Sequence, residues 1–169
     1  MKQAMNDVVA VCSGTECFTA GTLIETSEGL KAIETFTGGE LVWSRSETSL
    51  TYGYQPVIAN KETPAQPIFE VVIQREDGQQ ETLKTTAEHP FWIKNYGWLK
   101  AALLAKGMTL VDRNNNELHV VRQHLIPNHL ETVYNIEVQG FHTYHVGKLG
   151  TWVHNANCCK TTAPISLKP

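Results

Sequence analysis

Apolar and polar residues along this chain fall into short extended runs, each closed by turn-forming residues: 22–26, 41–43, 56–59, 68–74, 81–86 and 133–138. Runs of this length, bounded by Gly, Pro, Asn, Asp and Ser, predict strands and hence an all-β domain. Asp77-Gly78 lies between the apolar run at 68–73 and the Thr-rich run ending at Thr86. It predicts a hairpin turn, because glycine takes a positive φ without a Cβ clash. The alanines and leucines of 99–106 predict the one short helix.

The pattern also repeats. A shift of 69 positions sets Ile24, Leu30, Lys31, Ala32, Gly38, Leu41 and Val42 on Ile93, Leu99, Lys100, Ala101, Gly107, Leu110 and Val111, identical in type at every position, and sets Cys17 on Thr86. A weaker echo places Ile68-Phe69-Glu70-Val71 beside Val133-Tyr134-Asn135-Ile136 at a slightly different offset. Shared turn grammar is the plainer alternative, with Gly38 and Gly107 supplying tight turns and the leucines facing a core. Identities spread over a whole strand-turn-turn-strand unit favour duplication. Two β units related by an approximate twofold axis would bring Cys17 and the segment 86–89 into one cleft.

Composition narrows the class. At 169 residues and 41% hydrophobic content, the chain can bury about two thirds of its unfolded surface without staples. It excludes a disordered tail, a collagen-like rod or a disulfide-dense miniprotein. A net charge of -3, with no basic run, leaves no electrostatic footprint for nucleic acid or an anionic membrane. No stretch has the length of a transmembrane helix, and 1–10 lacks the apolar centre of an export signal. Four cysteines, Cys12, Cys17, Cys158 and Cys159, lie only near the two ends. That placement is poor for stapling and good for bringing reactive groups at the ends together.

Two constellations could carry chemistry. Cys17 with Thr86-Ala87-Glu88-His89 offers a nucleophile and an imidazole, since a thiol attacks as thiolate and a neighbouring histidine supplies a base or activates the electrophile. For an isolated pair the plainer readings prevail: Cys17 a small buried hydrophobe, His89 a residue fixing the turn at Pro90. The second is the stretch from Gly140-Phe141-His142-Thr143-Tyr144-His145 to Trp152-Val153-His154-Asn155-Ala156. An asparagine can attack its own carbonyl carbon through its side-chain nitrogen, closing a succinimide and cutting the chain after itself. The amide is a weak nucleophile and the leaving amine needs a proton, so nearby histidines can speed the step by acid and base action. The plainer reading of His154-Asn155 is a turn.

Taken together, 17–24, 86–92, 133–138 with His142-Thr143-Tyr144, and Val153-His154-Asn155 resemble, in order and spacing, the four blocks of the Hint superfamily of inteins, hedgehog autoprocessing domains and bacterial intein-like domains. The wording around His142-Thr143-Tyr144 and Trp152-Val153-His154-Asn155-Ala156 is most similar to bacterial intein-like, or pretoxin, Hint domains. The resemblance implies an all-β, pseudo-twofold Hint horseshoe over 17–155, with 1–16 and 156–169 as flanks. It implies a self-processing domain within a larger secreted or surface bacterial protein, a monomer acting on its own flanking segments without a cofactor and without nucleic acid or membrane partners.

Position by position, Cys17 resembles the residue that attacks the carbonyl of Glu16 to form a thioester. Thr86 and His89 resemble the pair that strains that amide and protonates its nitrogen. Asn155 resembles the cyclising residue, His154 its assistant, and His142 the histidine coupling the two ends. Asn135 stands where many inteins have Asp, and Ala156 stands where a splicing intein is followed by Cys, Ser or Thr. The expected reactions are therefore cleavage after Glu16 and after Asn155, with splicing at most minor. The alternatives are a zinc-binding module using Cys12, Cys17, His142, His145, Cys158 and Cys159, or an inert β interaction module. A zinc ion captured by Cys17 would also inhibit the leading reaction.

Overall fold

The computed structural model describes residues 16–49 and 51–155. These residues form strands β1 (Phe18–Thr19), β2 (Leu23–Thr26), β3 (Gly29–Ala32), β4 (Leu41–Arg45), β5 (Tyr52–Arg75), β6 (Gln80–Thr85), β7 (Pro90–Ile93), β8 (Gly97–Lys100), β9 (Thr109–Val111), β10 (Glu117–Val138), β11 (Thr143–Val146) and β12 (Thr151–His154). Single 3-10 turns at Ile33–Thr35 and Ala101–Leu103 are the helical segments among them. The all-β expectation holds.

Spatially the strands run β8-β7-β12-β11-β2-β4-β5-β6-β1-β10-β9, with β3 on the side of β2. β5 and β10 also pair with each other, so β5, β6, β1 and β10 close on themselves. These two long strands form a spine that holds its pairing from Leu118 opposite Arg75 to Val138 opposite Val57. It breaks step at several places, including Val120/Arg122 and Leu125/Leu130. Such bulges bend and twist a ribbon. The bend lets the first part of β5 pair with β4 (Leu41 opposite Pro56) while its last part pairs with β6 (Phe69 opposite Thr85).

The Asp77-Gly78 hairpin forms as the sequence predicts: Gly78 has φ +92°, and the Arg75 N–H donates to the Gln79 carbonyl at 2.9 Å. The predicted helix at 99–106 does not form. Leu99 and Lys100 instead pair with Phe91 and Pro90. The N–H groups of Ala101 and Ala102 donate to the carbonyls of His89 and Ala87, at 2.9 and 3.0 Å. With those donors taken by a neighbouring segment, one 3-10 turn remains.

The duplication is visible in the backbone. Ile33 N–H donates to Thr22 O and Ala101 N–H to His89 O; Gly39 N–H donates to Val57 O and Gly107 N–H to Val120 O; Phe36 N–H donates to Ile33 O and Leu104 N–H to Ala101 O. The donors in each pair are 68 positions apart, one fewer than the identities suggest. The hairpin turn between β2 and β3 is one residue shorter than that between β7 and β8, Thr26 pairing with Gly29 but Ile93 with Gly97. The backbone offset thus steps from 67 before that turn, Thr26 to Ile93, to 68 after it, Gly29 to Gly97, and the residue identities run one place ahead. The fainter echo is structural too. Ile68 and Val133 are both fully buried and pack with Cys17, while Val71 and Ile136 both enter the main core with Phe18, Ile24, Phe91 and Tyr144.

Candidate functional site

β1 is only two residues long, and both are buried. Phe18 pairs with Thr85 on one side and Tyr134 on the other. The strand exists because β6 and β10 hold it, and this places Cys17 at the centre of the molecule with no exposed surface. Its main chain is clasped: the Cys17 N–H donates to Thr86 Oγ1 at 3.0 Å, while the Cys17 carbonyl accepts from Thr86 N–H at 3.1 Å and Thr85 Oγ1 at 2.9 Å. Continuing the antiparallel register sets Cys17 opposite Asn135, which pairs in turn with Lys61. Directly opposed residues share a face. Burial pushes the Cys17 thiol up to about 12, the Glu16 carboxylate adds to the rise, and Lys61 opposes it.

His89 is fully buried among Phe18, Phe91 and Tyr144, with ring centroids at 4.2, 6.0 and 6.3 Å. Neither ring nitrogen has a hydrogen-bond partner among the described residues. Burial pushes its pKa down to about 3, and the neighbouring His154 lowers it further. The main chain at Glu16 and at His154 acts in the opposite sense. One imidazole thus feels the backbone next to Cys17, at Glu16, and next to Asn155, at His154.

β11 and β12 are buried at every position. Thr143 ties them to β4, accepting from Arg45 N–H at 3.1 Å and donating to Arg45 O at 2.7 Å. In front of β11, His142 adopts φ +61°, a left-handed conformation uncommon for a residue with a side chain. Its carbonyl accepts the Asn155 N–H at 2.9 Å, and its Nδ1 lies 2.9 Å from Val138 O. A carbonyl cannot donate, so Nδ1 carries the proton and Nε2 of the neutral ring is the basic nitrogen. Asn155 is fully buried and its Nδ2 donates to the same Val138 carbonyl at 3.1 Å. The Nδ1 of His154 lies 2.6 Å from the carbonyl oxygen of Asn155. By the same reasoning His154 is the donor there. The six candidates thus form two groups, Cys17 with Thr86 and Asn155 with His142 and His154, and His89 stands beside the main chain of both.

The pretoxin Hint domain family model matches residues 23–156. The chain belongs to this family. The bacterial intein-like domain from Clostridium thermocellum is 34% identical to this Hint domain, with a TM-score of 0.75 over 83% of this chain and 99% of that one. The gp41-1 intein (22% identity, TM-score 0.66, 83% and 98% covered) and a DnaB intein from Synechocystis sp. PCC 6803 (18%, 0.68, 83% and 98%) share the fold. No curated protein matches the chain.

Sequence reasoning did not find every residue around the Hint domain's buried pair of segments. Glu47, in the turn after β4, sets Oε2 3.4 Å from His154 Nε2 and accepts the Trp98 Nε1–H at 2.7 Å. No motif marks it. Tyr144 falls within His142-Thr143-Tyr144 with no role marked by the sequence, yet its buried hydroxyl has no partner among the described residues. Burial first, then the nearby Cys17, holds that phenol well above its usual range. Among the described residues no three His, Cys, Asp or Glu side chains cluster to hold a metal. His142 and His145, two of the suggested zinc ligands, turn Nδ1 to the carbonyls of Val138 and Gly150. Cys12, Cys158, Cys159 and Ala156 lie outside the described residues.

Proposed function

We propose that this Hint domain, spanning 17–155, cuts its own chain after Glu16 and after Asn155 in single-turnover reactions that need no cofactor, with the flanking segments as substrate. In the first reaction Sγ of Cys17 attacks the carbonyl carbon of Glu16. The bond to the Cys17 nitrogen breaks, and the proton lost from sulfur is replaced on nitrogen, giving a thioester and a free amine. Thr86 holds the scissile N–H, and His89 delivers the proton. In the second, Nδ2 of Asn155 attacks its own carbonyl carbon, the bond to the Ala156 nitrogen breaks, and the proton leaving Nδ2 balances the one gained by the departing amine. His142 is placed to accept and His154 to donate.

The observation that carries the reading is the grip on Asn155. Its nucleophilic nitrogen is drawn by Val138 O at 3.1 Å while a ring N–H holds the carbonyl oxygen, where negative charge develops, at 2.6 Å. A donor preset at that oxygen acts where it stabilises the transition state more than the ground state. Membership of a self-processing family supports the same reading. Splicing needs a nucleophile after Asn155, and Ala156 supplies only a methyl group. The test is intact-mass analysis of the full chain over time, with and without added thiol. Release of 1–16 only with thiol, lost in Cys17→Ala, and release of 156–169 lost in Asn155→Ala, are the expected results. A chain that stays whole under both conditions removes the proposal.

A further inference from the structure

His154 is held from both sides. Its Nδ1 faces the Asn155 carbonyl at 2.6 Å and its Nε2 faces the Glu47 carboxylate at 3.4 Å. Both neighbours are acceptors. A neutral imidazole has one N–H, so with Nδ1 donating it would turn a lone pair towards an anion. Only the doubly protonated ring suits both partners. Glu47 is itself fixed, accepting from Trp98 Nε1 at 2.7 Å, and the Trp98 ring lies 5.0 Å from that of His154. Two further imidazoles belong to the same electrostatic group. His142 acts electrostatically on the Glu47 carboxylate, and His154 on the His89 ring in the segment before β7. The Glu47 carboxylate is thus set against His154 beside the Asn155 bond.

We propose that Glu47 is a positioning residue for the C-terminal cleavage: its carboxylate holds His154 doubly protonated and aimed at the Asn155 carbonyl. The inference rests on the self-processing reading above. A charged donor strengthens the hydrogen bond to the developing oxyanion relative to a neutral one. Glu47 touches no reacting atom and acts through the imidazole. Trp98 donates to the carboxylate and packs its ring at 78° to that of His154, which limits the freedom of both groups.

The experiment uses the full chain unaltered and as Glu47→Gln, Glu47→Asp and Asn155→Ala. Release of 156–169 is followed by intact mass from about pH 5 to about pH 8, the range in which histidine changes charge. Glu47→Gln should slow it by roughly 10- to 100-fold and move the alkaline fall of the rate to lower pH. Glu47→Asp should restore most of the rate, and thiol-triggered release of 1–16 should stay within about twofold. A rate lowered equally at every pH, or equal loss of the N-terminal reaction, overturns the proposal. A separate readout holds even if the Asn155 bond proves inert, an outcome that would overturn the self-processing reading alone. In Asn155→Ala, whose main-chain carbonyl is retained, nitrogen-15-edited NMR near about pH 6 should show both ring protons of His154, with the Hε2 signal lost on adding Glu47→Gln. A single ring proton in both spectra overturns the role of Glu47.

Discussion

Cys17 and Thr86, 69 positions apart, hydrogen-bond reciprocally: the Cys17 N–H donates to the threonine hydroxyl at 3.0 Å, and the Thr86 N–H donates to the cysteine carbonyl at 3.1 Å. Two residues that each give to the other are what a twofold axis passing between them produces. The 69-position sequence repeat sets these two positions on one another, while the repeated backbone hydrogen bonds recur at 68, so the pair clasps close to where the duplicated units meet. Thr86→Val removes the hydroxyl at nearly constant volume. We expect it to slow thiol-dependent release of 1–16 by roughly 10- to 100-fold, with Thr86→Ser recovering most of the rate. Fragment mass against time measures both.

Thiolate is scarce at Cys17. With the thiol pushed up to about 12 by burial and by Glu16, the rate of thiol-dependent release should keep rising with pH beyond neutrality rather than level off. Glu16→Gln removes the acidic contribution and leaves the burial. The profile should then shift to lower pH, and the rate near neutrality should rise several-fold. An unchanged profile would exclude the Glu16 carboxylate from the thiol's environment.

At the other bond, His154→Gln should slow release of 156–169 by about 100-fold, the scale of removing one donor from an oxyanion. Asn155→Ala should stop that release and leave thiol-induced N-terminal cleavage largely intact. Ala156→Cys should raise the spliced fraction, because a nucleophile then stands at the branching position. Abundant spliced product from the unaltered chain, with flanks joined through Ala156, would contradict the scheme.

Acid should loosen the fold through two buried histidines. His145 is held down to about 4 and His89 to about 3, both by burial first, against 6.5 for the free group. Below pH 6.5 the unfolded chain takes up protons that the folded chain refuses. Stability is therefore complete above that value and falls as the pH drops towards the folded values. The slope is about 1.4 kcal/mol per pH unit for each histidine. Urea midpoints between about pH 7 and about pH 4 should fall accordingly. His145→Gln, which keeps a donor for the Gly150 carbonyl and does not titrate, should roughly halve the slope.

Much of this molecule is legible in its sequence, for identifiable reasons. The Asp77-Gly78 hairpin depends on a local rule, and glycine at φ +92° obeys it. The repeat survived because the same backbone hydrogen bonds recur in both units. Its residue identities run at 69 while the backbone repeats at 68, because Leu-Lys-Ala recurs one place out of step with the strand it lies on. The helix expected at 99–106 failed because its propensity is local, whereas the carbonyls of Ala87 and His89 compete for its first donors. β11 and β12 show no alternation, since both their faces are buried and polar Thr143, His145 and His154 sit inside. Block resemblance singles out 17–24, 86–92 and 153–155, where the hydrophobic pattern alone gives no purchase. Glu47 escaped both approaches, because a glutamate in a Ser-Glu-Thr-Ser turn looks like any solvated loop residue until Trp98 and His154 close on it.

His89 lies close to the backbone at Glu16 and at His154 alike, so the polypeptide enters and leaves the domain past a single ring. For a larger chain carrying it, the domain is then a detour of almost no net span. A host loop is then not pried apart by taking the domain in, because the domain's own ends, at Glu16 and His154, lie by one ring. On the proposed scheme a single cut already parts one flank from the domain, while the other flank stays joined to it until the second.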